Sequence, residues 1–211
     1  MNRLEEKYNR AERTPSDIDM FIPTLRQYSE ACEHVTEFGV RWIVSTWGLL
    51  SGLPKRMVSY DINHPEVHGA NINEVYEIAE ENGVKYDFHL ASTLEVEIEP
   101  TELLFIDTDH TNEHLIKELN LHHSRVRYWI MCHDTIAFNL MPAVNEFIET
   151  HKEEWKIKEH MEIHPGLVIL ERINKLKNKM ENFIENIIEN KITMVARDKF
   201  DTVVRNFSKN E

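Results

Sequence analysis

Short apolar runs of strand length alternate along this 211-residue chain with stretches whose apolar positions recur every three or four residues. Strands are predicted at His34–Phe38, Arg56–Tyr60, Lys85–Leu90, Leu103–Ile106 and Arg127–Cys132. Helical spacing falls between them. Val44–Leu50 stops near Gly52-Leu53-Pro54, Asn71–Glu81 carries Ile72, Val75, Tyr76, Ile78 and Ala79, and Asn112–His122 carries Leu115, Ile116 and Leu119. Upstream, Ser16-Asp17 can cap a helix from Ile18 to Cys32, with Pro23 bending or restarting it. Residues 1–15 read as a charged lead-in, loose or helical. Downstream, Pro142–Thr150 is a helix with proline in its first turn, and Trp155–Glu162 with Leu167–Leu170 reads as an antiparallel pair.

Strands alternating with helices imply an α/β fold: a doubly wound, mostly parallel sheet with an antiparallel edge. The chain divides into the lead-in 1–15, an α/β domain 16–172 and a C-terminal helical extension 173–211. The extension has an apolar stripe at Met180, Phe183, Ile184, Ile187 and Ile188. That stripe is expected to pack on its own domain.

Two strands run straight into polar chemistry. Leu103-Leu104-Phe105-Ile106 leads into Asp107-Thr108-Asp109-His110, and Tyr128-Trp129-Ile130-Met131-Cys132 leads into His133-Asp134-Thr135. Open α/β sheets bind ligands outside the carboxyl ends of their strands, so the two sets should converge on one crevice. Carboxylates of Asp107 and Asp134 suit Mg²⁺, and an imidazole such as His133 is accepted by Mn²⁺, Fe²⁺ or Zn²⁺. His110, three residues past Asp107, suits a general base near neutral pH. The alternative is that the aspartates cap loops and the histidines are solvated. A second constellation is Glu37-Phe38-Gly39-Val40-Arg41, a glycine turn opening toward a helix, followed by Asp61 at the end of the second strand. An acid in that place commonly takes the hydroxyls of a ribose; otherwise Asp61 is a capping residue and the glycine a plain strand-to-helix turn.

Charge and composition narrow the classes. With 24 basic and 37 acidic residues the net charge is −13, which excludes a general grip on nucleic acid. No segment has the 18 to 20 apolar residues, roughly, of a membrane span, and the first residues carry no apolar signal-peptide core. Cys32 and Cys132 lie a hundred residues apart beside apolar runs, as reduced thiols of a cytoplasmic protein would.

These stretches resemble class I S-adenosylmethionine-dependent methyltransferases, more narrowly the branch of cephalosporin-hydroxylase-like proteins and sugar O-methyltransferases. The resemblance rests on Thr36-Glu37-Phe38-Gly39-Val40, Ser45-Thr46-Trp47, Val58-Ser59-Tyr60-Asp61, Leu104–His110, Cys132–Thr135 and Gly166–Arg172, and spans about residues 16–172. It implies a Rossmann-like fold and O-methylation of a small molecule or glycan, with S-adenosylmethionine and a Mg²⁺ or Mn²⁺ ion. It also implies a capacity for homo-oligomers. Glu37 and Gly39 would meet the cofactor's methionine, Asp61 its ribose and Ser92 its adenine, with Asp107 also at the cofactor. Asp107, His133 and Asp134 would hold metal, with His110 as base. Two positions depart from the pattern. Ile43 stands where the family has a second glycine, four residues after Gly39, and His133 stands where metal-dependent members often have an acid. The first departure admits an inactive, methyltransferase-like binding protein. The second leaves room for a metal-dependent hydrolase or oxygenase.

Overall fold

The structure, a computed structural model, describes residues 2–173. The C-terminal stripe from Met180 to Ile188 therefore lies outside the described residues.

Alternation along the strands explains the layering. In β4 (Thr101–Ile106), Leu103 and Phe105 enter one apolar cluster while Leu104 and Ile106 enter another. Successive side chains of a strand point to opposite faces, so a continuous apolar run needs cover on both. On one face lie α1 (Arg3–Arg13), α2 (Ile22–Ser29), α3 (Val44–Leu50) and α4 (Ile72–Glu81). On the other lie α5 (Asn112–His122) and α6 (Met141–Thr150), through Leu115, Leu119, Val144 and Phe147. Each such side chain, fully buried, contributes about 1.5–3 kcal/mol.

The remaining strands are β1 (His34–Phe38), β2 (Arg56–Asp61), β3 (Lys85–Leu90), β5 (Val126–His133), β6 (Trp155–Met161) and β7 (Leu167–Arg172). They form a seven-stranded sheet in the order β3-β2-β1-β4-β5-β7-β6. β1 to β5 are parallel; β7 enters antiparallel beside β5 and pairs with β6 at the edge. The doubly wound sheet with an antiparallel edge is therefore as the strand pattern implies. Its order reverses between β1 and β4, where open sheets form their crevice.

Several elements differ in detail. Residues in the lead-in form a regular helix, α1, whose Asn2 side chain accepts from the Glu5 N–H at 2.8 Å. Leu4, Tyr8 and Ala11 of α1 fall on one face and are buried, so helical spacing within a charged segment is enough to dock it. The helix expected from Ile18 to Cys32 is shorter. A 3₁₀ turn, Asp19–Phe21, precedes α2, and Pro23 occupies the first turn of α2, where its missing N–H costs nothing. Among the described residues no helix is long and apolar enough to cross a membrane.

Candidate functional site

The glycine turn after β1 is built by Asp61. Its Oδ2 accepts from the N–H of Val40 at 2.8 Å and of Arg41 at 3.0 Å, and its Oδ1 from the N–H of Asn63 at 2.8 Å. A carboxylate has about four lone-pair sites, so about one acceptor site is left on Oδ1. Gly39 itself packs against the end of β4: with φ +86°, a Cβ there would stand 1.8 Å from the Asp107 carbonyl oxygen. The turn and the β4 end are thus in backbone contact, and only glycine permits it.

Ile43, the first of the two departures, has its side chain turned away from the cleft. Its backbone is left-handed, with φ 66° and ψ 20°, as a glycine's would be at the start of α3. Its side chain is nearly fully buried in the apolar cluster under α1 and α3. It borders a neighbouring cavity but not the two chambers that Gly39 lines. The isoleucine therefore adopts the left-handed backbone at the expense of about 1–2 kcal/mol of strain, with its side chain outside both chambers.

Glu37 is fully buried beneath the turn. Ser45 Oγ donates to it at 2.7 Å, Thr46 Oγ1 at 2.9 Å and Ser59 Oγ at 2.6 Å. Burial raises its pKa to about 7 against the pull of those three hydroxyls. The carboxyl ties β1, β2 and α3 together and lends no surface to the cleft.

Across the cleft, Asp107 and Asp134 close on His110. His110 Nε2 lies 3.0 Å from Asp134 Oδ2 and 3.5 Å from Asp107 Oδ1. One ligand-type atom from each of Asp107, His110 and Asp134 falls within 4.8 Å of the others, a spacing fit for a divalent ion. His133 stands behind this group. Its Nδ1 is 3.2 Å from Asp107 Oδ1 and its Nε2 3.1 Å from the Asp17 carbonyl oxygen. The imidazole that converges with the two aspartates is thus His110, whereas His133, expected with them, contacts Asp107 from behind. Asp134 is held at φ 59°.

Electrostatics follow the geometry. Hydrogen bonds to Asp107 and Asp134 raise the His110 pKa to about 10. Burial alone would raise Asp107, but His110 and His133 outweigh it and hold the carboxyl below its usual range. Burial opposes charge on His133, yet Asp107 prevails and raises it. Because the folded pKa of His110 exceeds its ordinary 6.5, its ion pairs stabilise the fold fully below about pH 6.5. That contribution is lost as pH rises through about 10. The metal-free protein should therefore lose melting temperature over this range, and His110→Gln should flatten the slope. Equal slopes in the two proteins would sink the assignment.

A cleft of about 480 Å³ lies between the two halves, bordered by Gly39, Asp61, Thr93, Asp107 and His114. A smaller chamber of about 80 Å³ continues it toward Asp17, Trp42 and His110. Ser92 is not among the lining residues; its Oγ accepts from the Leu94 N–H at 3.3 Å, and its neighbour Thr93 faces the cleft instead. Thr93 is fixed by Glu118, a buried carboxylate on α5. Glu118 accepts from Thr93 at 2.6 Å and from Thr108 at 2.9 Å, and His114 Nε2 lies 3.2 Å away. Sequence reasoning passed over Glu118, since one acid on a polar-looking helix carries no signal of burial.

Neither a protein-family model nor a curated protein matches the chain. Solved structures do. One is an O-methyltransferase from Bacillus cereus in complex with SAH, at 19% identity and TM-score 0.57, covering 81% of this chain and 90% of that one. Another is the O-methyltransferase TomG from Streptomyces achromogenes, involved in tomaymycin synthesis and solved with SAM. It shows 14% identity and TM-score 0.55, covering 82% of this chain and 91% of that one. A third is the SAH-bound methyltransferase PaMTH1 of Podospora anserina, at 14% identity and TM-score 0.53, covering 82% and 89%. At these identities the likeness is one of architecture, and the chain has the Rossmann-like class I methyltransferase fold.

Proposed function

We propose that this protein is a methyltransferase that uses S-adenosylmethionine to O-methylate a small molecule or glycan, with a divalent metal assisting. One juxtaposition carries the reading. The Gly39–Asp61 turn, free of the Ile43 side chain, opens onto the same cleft as Asp107, with His110 in the adjoining chamber. The cofactor fits the donors present: Asp61 retains acceptor capacity for ribose hydroxyls, and Gly39 leaves backbone exposed where a Cβ cannot stand. Asp107, His110 and Asp134 fit a divalent ion, two hard carboxylate ligands and one imidazole.

When bound, the cofactor supplies an electrophilic methyl group and the metal lowers the pKa of an acceptor hydroxyl. The chain's own part is alignment and proton handling. Backbone groups of the turn, fixed by Asp61, set the donor on one side. Asp107, Asp134 and His110 set the acceptor oxygen on the other, and holding two reactants in line can supply several kcal/mol of the barrier. His110 Nε2 faces Asp134, so with a metal bound it would be a ligand, and it would serve as base only in a metal-free reaction after releasing the proton it shares with Asp134. The preferred acceptor surface includes Phe138, whose ring lies 4.2 Å from that of His110. The acidic chain suits a neutral or cationic acceptor better than nucleic acid, and we place the protein in the cytoplasm.

The test is calorimetric titration with S-adenosylhomocysteine, with and without Mn²⁺, followed by methyl transfer to a panel of hydroxylated small molecules. Micromolar binding strengthens the reading. Metal binding with no affinity for S-adenosylhomocysteine would sink it and select a metal-dependent hydrolase or oxygenase built on the same Asp107–His110–Asp134 group. Absence of both would leave a binding protein without catalysis.

A further inference from the structure

Resting on the methyltransferase reading, we infer that Arg41 is the counter-charge for the carboxylate of the cofactor's methionine and so selects cofactors that carry that group. Arg41 borders both the large cleft and the smaller chamber beside Gly39. Its backbone is fixed: the N–H is bound to Asp61 and φ is 40°, an uncommon value for a side-chain-bearing residue. Its guanidinium rests on the Trp42 ring, 3.8 Å from the centroid. Among the described residues most arginines have a carboxylate within ion-pair distance: Arg3, Arg26, Arg56, Arg125, Arg127 and Arg172. Arg41 has none, although the chain carries net charge −13; Arg10 and Arg13 lack one too, but neither borders these chambers. A guanidinium without an ion pair at the junction of two chambers, although Asp17, Asp61 and Asp107 border them, is available to an anionic ligand. Its stacking on an exposed indole is weak enough to yield to a charge-assisted, two-pronged bond with a carboxylate.

The same turn offers the anion little else. α3 spans only seven residues, and Ile43 at its start supplies no side-chain cap. Asp17, which also borders the smaller chamber, repels a carboxylate and suits the ammonium of the same amino-acid moiety. Arg41 for the carboxylate and Asp17 for the ammonium, in a chamber that Asp107 and His110 border as well, match the zwitterion of methionine.

The experiment compares S-adenosylhomocysteine with 5′-methylthioadenosine, which has the nucleoside and sulfur but lacks the amino acid. Calorimetry on the full chain is run with the natural protein, Arg41→Met and Arg41→Lys. Arg41→Met should weaken S-adenosylhomocysteine about 10- to 100-fold and leave 5′-methylthioadenosine within about twofold, as loss of one charged hydrogen-bonding pair implies. Arg41→Lys should recover part of the loss, since charge is kept and the fork is lost. Equal weakening of both ligands, or none of either, overturns the role of Arg41 while leaving the cofactor reading intact. If the natural protein binds neither ligand, both fall. Unchanged melting temperatures show that the variants are folded.

Discussion

Replacing Gly39 by alanine is expected to remove most of the stability of the fold. The added Cβ would lie 1.8 Å from the Asp107 carbonyl oxygen and 2.7 Å from its carbon, and both belong to backbone at the end of a central strand. Asp107 cannot retreat easily, because its own N–H donates to the Phe38 carbonyl at 2.8 Å. The positive φ adds roughly 1–2 kcal/mol of strain. The sum should exceed about 4 kcal/mol, a large part of the 5–15 kcal/mol, about, that holds a typical domain. Gly83 is the control, since its φ is +74° and a Cβ added there would meet nothing within 4 Å. Gly83→Ala bears only the cost of the dihedral, about 1–2 kcal/mol. Urea unfolding of the pair reads the difference. If the two variants unfold within about 1 kcal/mol of one another, close approach of the turn to β4 is not what the glycine provides.

Asp134→Asn has the second large effect, and it falls on chemistry rather than on folding. Asparagine tolerates the left-handed backbone at φ 59° and keeps the side-chain shape. What is lost is the negative charge 3.0 Å from His110 Nε2, while a neutral amide oxygen replaces one of the three convergent ligand-type atoms. Loss of an outer partner of a metal ligand already costs 10- to 100-fold, about, in affinity, so loss of a ligand charge should cost at least about 100-fold for Mn²⁺. The His110 pKa, held at about 10 by both aspartates, should fall as well. Metal titration and the pH dependence of the His110 ring resonances measure the two effects. An unaltered Mn²⁺ affinity would remove Asp134 from the metal site.

Much of this arrangement is written in the sequence because strand ends are legible. Apolar runs that stop at an acid mark both the strand and the side chain at its carboxyl end, so Asp61, Asp107 and Asp134 can be placed from the pattern alone. The roles of their neighbours are less legible, for physical reasons. Whether His110 or His133 converges with the aspartates depends on which way each ring turns, and the Asp17 carbonyl that holds His133 Nε2 is far away in the chain. The conformation of Ile43 is hidden too. Its residue type argues against a left-handed backbone, and only burial of the side chain under α1 and α3 reveals how the turn accommodates it. Glu118 reads as a solvated helix acid beside Lys117, yet it joins Thr93 to Thr108. Helix α1 shows the opposite case. Its signal is present at Leu4, Tyr8 and Ala11, and charge around those positions masks it.

The last hairpin sets an order on assembly. The loop after β5 that carries Asp134 is tied to the β6–β7 turn, where the Pro165 carbonyl accepts from the N–H groups of Ile136 and Ala137 at 2.9 Å. β7 then slots between β5 and β6. On a ribosome the glycine turn, Asp61 and Asp107 emerge early and can already pair through β1, β2 and β4. The Asp134 loop gains its brace only after Pro165 has been synthesised. A nascent chain would therefore form the Gly39–Asp61 turn before the Asp134 loop is braced, so Asp134 reaches His110 only once the sheet is closed.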